Sequence, residues 1–114
     1  MAAKSYFYAL GRRKSATARV RLMNGKGLIT INGMPASEYF ADSKYLLNEL
    51  NRPFSVVEAG NKFDVSVVVS GGGHAGQVDA IRLGIAKALA VMNEDLKSTL
   101  KRADLLGRDP REKE

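Results

Sequence analysis

Two clusters in this chain combine residue types that can hold an anion. The first is Gly11-Arg12-Arg13-Lys14-Ser15, followed by Arg19 and Arg21. Guanidinium groups contact phosphate through two parallel hydrogen bonds, and a lysine ammonium adds a compact point charge. The second is Ser70-Gly71-Gly72-Gly73-His74-Ala75-Gly76-Gln77. Consecutive glycines lack Cβ atoms, so backbone N–H groups can approach a phosphate closely and cradle it beside a helix N-terminus. The same glycines also suit a tight strand-to-helix turn with no ligand, and the residues alone leave both readings open.

Several chemistries fail on context. Gly71, Gly73 and Gly76 satisfy G-x-G-x-x-G, yet a dinucleotide fold needs a further parallel strand ending in an acid about 20 residues on. Glu94 and Asp95 stand near that distance but open another predicted helix. Gln77 occupies the position where a phosphate-binding loop would carry lysine. Ser70, His74 and Asp79 are close in sequence without the strand-turn-helix elbow of a nucleophile, so His74 is expected to touch backbone or a polyanion. With no cysteine and one histidine, disulfides, thiolate nucleophiles and histidine-built metal clusters are not expected. No catalytic residue, cofactor or metal is therefore assigned.

Charge supplies the partner class. The 18 basic and 12 acidic side chains of the 114 residues leave +6, and a pI near 9.8 favours polyanions. Residues 1–27 hold Lys4, Arg12, Arg13, Lys14, Arg19, Arg21 and Lys26 with no acid. A charge run is commonly just a solvated face, but without interspersed acids this one reads as a polyanion-binding stripe. A membrane surface would want that charge on the polar face of an amphipathic helix, whereas it falls on a loop and a strand. No apolar run reaches the roughly 18 residues of a membrane span, and a cytoplasmic chain is expected.

These clusters need elements to position them. Tyr6–Leu10 reads as a strand, with alternation placing Phe7, or Tyr6 and Tyr8, in the core. Gly11–Ser15 reads as a basic loop. Thr17–Met23 alternates Ala18, Val20 and Leu22 with Thr17, Arg19 and Arg21, a half-buried strand with outward arginines. Asn24-Gly25 predicts a hairpin, with Leu28–Ile31 as the returning partner. Pro35 opens a short helix through Phe40, and Asp42 or Ser43 caps a second from Lys44 to Leu50, stopped by Pro53. Phe54–Glu58 and Phe63–Ser70 read as strands, divided by a turn at Gly60-Asn61; Val65, Val67, Val68 and Val69 suit burial on both faces of the second. Ile81, Ile85, Leu89 and Met92 make one apolar stripe on a helix from Val78 to Met92. Asn93 caps a shorter helix carrying Leu96, Leu100 and Ala103. This order predicts an α+β fold, one sheet of about four to five strands with helices on one face.

Taken together, several motifs resemble a family. Gly71–Gln77 followed by Ala80, Gly84 and Ala86–Leu89 resembles the signature of the ninth small-subunit ribosomal protein, bacterial type. Gly11–Val20 resembles the opening motif of that family, Gly25-Lys26-Gly27 with Ile31-Asn32-Gly33 its hairpin, and Leu105–Asp109 with Arg111-Glu112 its late motif. The resemblance implies a non-enzymatic, two-layer α/β sandwich with a left-handed βαβ crossover. It also implies a place in the head of the small ribosomal subunit, in contact with ribosomal RNA and other head proteins. Residues 1–107 would form a single RNA-binding domain, with 108–114 beginning a charged tail. RNA contact is expected at Arg12, Arg13, Lys14, Ser15, Arg19, Arg21, Gly71, Gly72, Gly73, His74, Gln77, Arg108 and Arg111. The family tail is long, basic and directed at peptidyl-site transfer RNA, so that contact is expected only with such a tail, and the sequence here stops at Glu114.

Overall fold

Ala16, Ala18, Val20 and Leu22 alternate with polar residues, and a period of two makes a strand with one apolar face. In the computed structural model, which describes residues 6–13, 15–41, 43–58, 62–103 and 105–106, they lie on β2 (Ala16–Asn24), where all four are buried. β1 (Phe7–Arg13) precedes it; β3 (Ile29–Ile31), β4 (Met34–Pro35), α1 (Ala36–Tyr39), α2 (Lys44–Val56) and β5 (Phe63–Ser70) follow. Then come α3 (His74–Met92), a 3₁₀ turn (Glu94–Leu96) and α4 (Lys97–Arg102). The five strands form one mixed sheet in the order β1-β2-β5-β3-β4. Only β3 and β5 are parallel, with Ile29 opposite Val65 and Ile31 opposite Val67.

One face of the sheet carries Val20, Leu22, Val65, Val67 and Ile31, covered by Ile81, Ile85 and Leu89 of α3 and by Leu50 and Phe54 of α2. Arg82 of α3 ties the helices together, meeting Glu49 of α2 and, at 3.0 Å, Asp79. The other face is open: Arg19, Arg21, Val68 and Ser70 are exposed. This is the expected α+β two-layer sandwich. Its tightest point is where α3 crosses β1. A Cβ on Gly11 would strike the Ala80 carbonyl and lie 2.7 Å from the Gly84 nitrogen, so only glycine admits this approach.

Several local expectations are corrected. β2 and β3 are not hairpin partners, because β5 lies between them. β5 offers β2 a full ladder from Thr17–Ser70 to Asn24–Phe63, far longer than three-residue β3 could. The Gly25–Leu28 connection is held instead by Asp64, whose Oδ1 accepts from the N–H groups of Lys26 (2.9 Å), Gly27 (3.2 Å) and Leu28 (3.0 Å). These backbone donors hold the Asp64 carboxyl below its ordinary value. α2 runs through Pro53, and Phe54–Val56 is its last turn rather than a strand. Leu50, Pro53 and Phe54 are buried on one side of this helix, and that burial outweighs the hydrogen bond a proline cannot make. β5 is covered on one face only, leaving Val68 52 % exposed. α3 starts at His74, earlier than its apolar stripe suggests.

The caps behave as their side chains dictate. Ser43 Oγ accepts from Leu46 N–H (3.3 Å) to start α2, while the alternative cap, Asp42, lies outside the described residues, as does the Gly60-Asn61 turn. Asn93 Oδ1 accepts from Asp95 N–H (3.0 Å) and opens the 3₁₀ turn.

Candidate nucleic-acid interface

The basic loop is largely a strand. Gly11, Arg12 and Arg13 belong to β1, because the sheet pairs them with Ala18, Thr17 and Ala16 and α3 packs under Gly11. Register then fixes where each cation points. Arg12 is opposite Thr17, Leu10 opposite Arg19 and Tyr8 opposite Arg21, so Tyr8, Leu10 and Arg12 share the open face with Arg19 and Arg21. Arg13 and Ser15 are exposed at the end of β1 and the turn after it. Lys14 lies outside the described residues, as do Arg108 and Arg111.

The glycine loop meets this turn. Gly71 and Gly72 have φ of +82° and +62°, conformations that carry a strain cost for any side chain. A Cβ on Gly71 would also collide with the Ser15 carbonyl oxygen, and one on Gly72 would lie 3.3 Å from the Ala16 Cβ. The hairpin end of β1–β2 and the loop after β5 are therefore in contact, because Thr17 pairs with Ser70 at the end of the β2–β5 ladder. Gly73 is different: nothing lies within 4 Å of where its Cβ would be, which leaves open space beside the backbone at the start of α3.

Gln77 holds the loop in shape. Its Nε2 donates to the Gly71 carbonyl (3.0 Å), and its Oε1 accepts from the Tyr39 hydroxyl (2.8 Å). It is the one buried polar side chain among the described residues. The Gln77 amide, expected at the RNA surface, is turned towards the loop and α1 in this fold. Tyr39 is a partner that local sequence reasoning missed, because nothing in the spacing links a residue of α1 to the first turn of α3. His74 is exposed, and its ring lies against Tyr39 (centroids 5.4 Å apart) and edge-on to Phe40 (5.2 Å). Asp79 is engaged by Arg82, so the Ser70, His74 and Asp79 set makes no relay.

Electrostatics are one-sided on the open face. Among the described residues, the ion pairs are those joining Arg52, Arg82, Glu49 and Asp79, and none involves Arg12, Arg13, Arg19 or Arg21. Asp64, the acid on this face, is turned into the Lys26–Leu28 backbone. The aromatic expectation is also corrected. Tyr6, Phe7 and Tyr8 are 50 %, 38 % and 48 % exposed, so none is core; Tyr8 faces the open side of the sheet, over which none of the described helices lies. The Arg21 guanidinium sits over the Tyr6 ring, 5.6 Å from its centroid.

Fold and site together define a basic α+β domain presenting arginines with no carboxylate partner among the described residues, and exposed aromatic rings, beside a glycine turn. Residues 11–114 match the family described as ribosomal protein S9/S16. The chain is 48% identical over 111 residues to the small ribosomal subunit protein uS9 of Maridesulfovibrio salexigens, covering 97% of this chain and 85% of that protein. It is 47% identical over 108 residues to uS9 of Mycoplasmoides gallisepticum (95% and 82% of the two lengths). It is 48% identical over 113 residues to uS9 of Mycoplasma genitalium (97% and 85%). The chain belongs to the ribosomal protein S9/S16 family.

Proposed function

We propose that this chain binds small-subunit ribosomal RNA through the open end of its sheet and the adjoining glycine turn. As a member of its family it is a structural, non-enzymatic constituent of the small ribosomal subunit. Arg12, Arg13, Arg19 and Arg21, with Lys14 between them in sequence, neutralise phosphates; Gly73 and the start of α3 give an RNA strand close access to backbone. Ser15 and His74 border that surface, and Gln77 shapes it without touching RNA. Such contacts fix RNA shape and position rather than read base sequence. The carrying observation is that these four arginines have no carboxylate partner among the described residues. Three such cations, Arg12, Arg19 and Arg21, share the open face and Arg13 stands at the strand end beside it; cations gathered there need a polyanion to gain Coulomb energy.

The finer reading places the domain in the subunit head among other head proteins, in the cytoplasm. Residues 1–107 form the RNA-binding body; Arg108 and Arg111 start a charged tail, which would contact peptidyl-site transfer RNA only if a basic extension follows. The test is binding of a labelled head-domain ribosomal RNA fragment across a salt series. Affinity should fall steeply with salt, and the Arg19→Ala/Arg21→Ala variant should bind more weakly with a shallower slope. An unchanged slope in that variant would remove the open face from the interface.

A further inference from the structure

β1 ends the strand order, so one side of its backbone has no strand partner among the described residues. Leu10 shows which groups face outward: its carbonyl receives the Lys87 ammonium at 3.4 Å, a long and weak contact. Backbone groups of residues two apart point to the same side of a strand, so Tyr8 turns its N–H and C=O outward as well. Among the described residues neither a proline nor a helix covers this edge, and Lys87 is the charged side chain set against its backbone.

A groove of about 820 Å³ runs along it. Tyr8, Ala9 and Leu10 form one wall; Ala90 and Val91 of α3 and Leu106 form the apolar floor. The rim carries Lys87 of α3 and Lys97 and Lys101 of α4, against the one acid Glu94. The helical layer thus extends past the last strand and leaves a strand-sized place beside β1. Val91 is 61 % exposed and Leu10 37 %, apolar surface with nothing of this chain's described residues upon it.

We propose that this groove takes an extended polypeptide segment of another protein, with both aliphatic and acidic side chains among its inward-facing residues, as a strand added to the outer edge of β1. Outward N–H and C=O groups at a two-residue repeat are matched by another backbone, which carries the same donors and acceptors at the same spacing. Both the apolar floor and the lysines belong to the helical layer, so the inner face of that strand meets them all. Aliphatic side chains reach Ala90, Val91 and Leu106, and carboxylates at other inward positions reach Lys87, Lys97 and Lys101, a charge match left incomplete by Glu94 alone. RNA offers neither the alternating backbone pattern nor the aliphatic side chains, and the cations of the groove are lysines of the helical layer, whereas Arg19 and Arg21 stand on the open face.

The experiment uses the full chain and a fluorescein-labelled octapeptide with threonine at every second position and valine and glutamate taking turns at the positions between, read by fluorescence anisotropy. Controls are the same peptide with alternate amides N-methylated, and one with lysine in place of glutamate. Saturable binding of the first alone is expected. The Lys87→Gln/Lys97→Gln/Lys101→Gln variant, all three side chains being exposed, should keep its thermal unfolding profile. It should lose about tenfold or more in peptide affinity and bind the ribosomal RNA fragment within about twofold of the parent. No peptide binding, or equal binding of the N-methylated peptide, would overturn the proposal. A parallel loss of RNA affinity in the variant would make the groove an RNA surface instead. Self-association of the parent through this edge, abolished in the variant, would assign it to a second copy. Failure of the parent to bind RNA would count against the RNA reading while leaving this result standing.

Discussion

Gly71 lies so close to the Ser15 carbonyl that no side chain fits between them. Through this contact a turn near the N-terminus and a loop in the second half of the chain become one surface. The pairing of Thr17 with Ser70 sets their separation, and Gln77 locks the loop from behind.

Gly71→Ala combines a left-handed φ of +82° with a backbone collision. It should destabilise the fold by about 1–3 kcal/mol and weaken RNA binding by parting the two segments. Gly73→Ala, with open space around its Cβ and ordinary extended φ, should change stability by less than about 1 kcal/mol. Urea unfolding of both variants distinguishes them; equal losses would mean that the Ser15 contact is not what fixes the turn.

Arg12→Ala/Arg13→Ala and Arg19→Ala/Arg21→Ala should each flatten the salt dependence of RNA binding. Each lost phosphate contact removes about 0.7–0.9 from the slope of log K against log salt. Stability should shift by no more than about 0.5 kcal/mol per exposed arginine. The check is a salt titration of RNA affinity alongside a thermal melt.

Gln77→Ala leaves the Tyr39 hydroxyl and the Gly71 carbonyl without their partner in a part-buried site. A loss of about 1–3 kcal/mol is expected, with Tyr39→Phe costing about 0.5–1.5 kcal/mol. A double-mutant cycle should show coupling between the two positions. Additive losses would mean that the hydrogen bond contributes nothing to stability.

Asp64 provides the pH-dependent element. Its folded carboxyl is held below the ordinary value, chiefly by the Lys26 and Leu28 N–H groups. A depressed pKa means that its stabilisation is complete above the unfolded pKa, about 3.9, and disappears as pH falls through the lower folded value. Asp64→Asn keeps an acceptor but loses the charge, so it should melt below the parent at pH 7. The gap should narrow as pH drops below about 4. A gap constant from pH 7 to pH 2 would show that the carboxylate charge plays no part in holding the turn.

The alternation of Ala18, Val20 and Leu22 with Thr17, Arg19 and Arg21 was sufficient to make β2 and to aim its arginines outward, since strand period and hydrophobic burial are local rules. Spaced motifs such as Gly71–Gln77 and Gly11–Val20 were likewise enough for the family. What only the tertiary structure decided follows from long-range competition. Whether Asn24-Gly25 closes a hairpin depends on what β5 offers β2 over a full ladder, and no local signal weighs that. Pro53 normally stops a helix, but burying Leu50, Pro53 and Phe54 together reverses the balance. Gly11 reads as punctuation in the sequence, yet it sits inside β1 because α3, arriving far later in the chain, needs a position without a Cβ. Gln77 carries nothing in its own segment to show that Tyr39 and Gly71 would use up its amide. Residue type and spacing determined which groups could meet RNA; packing between distant segments decided which of them are left facing outward.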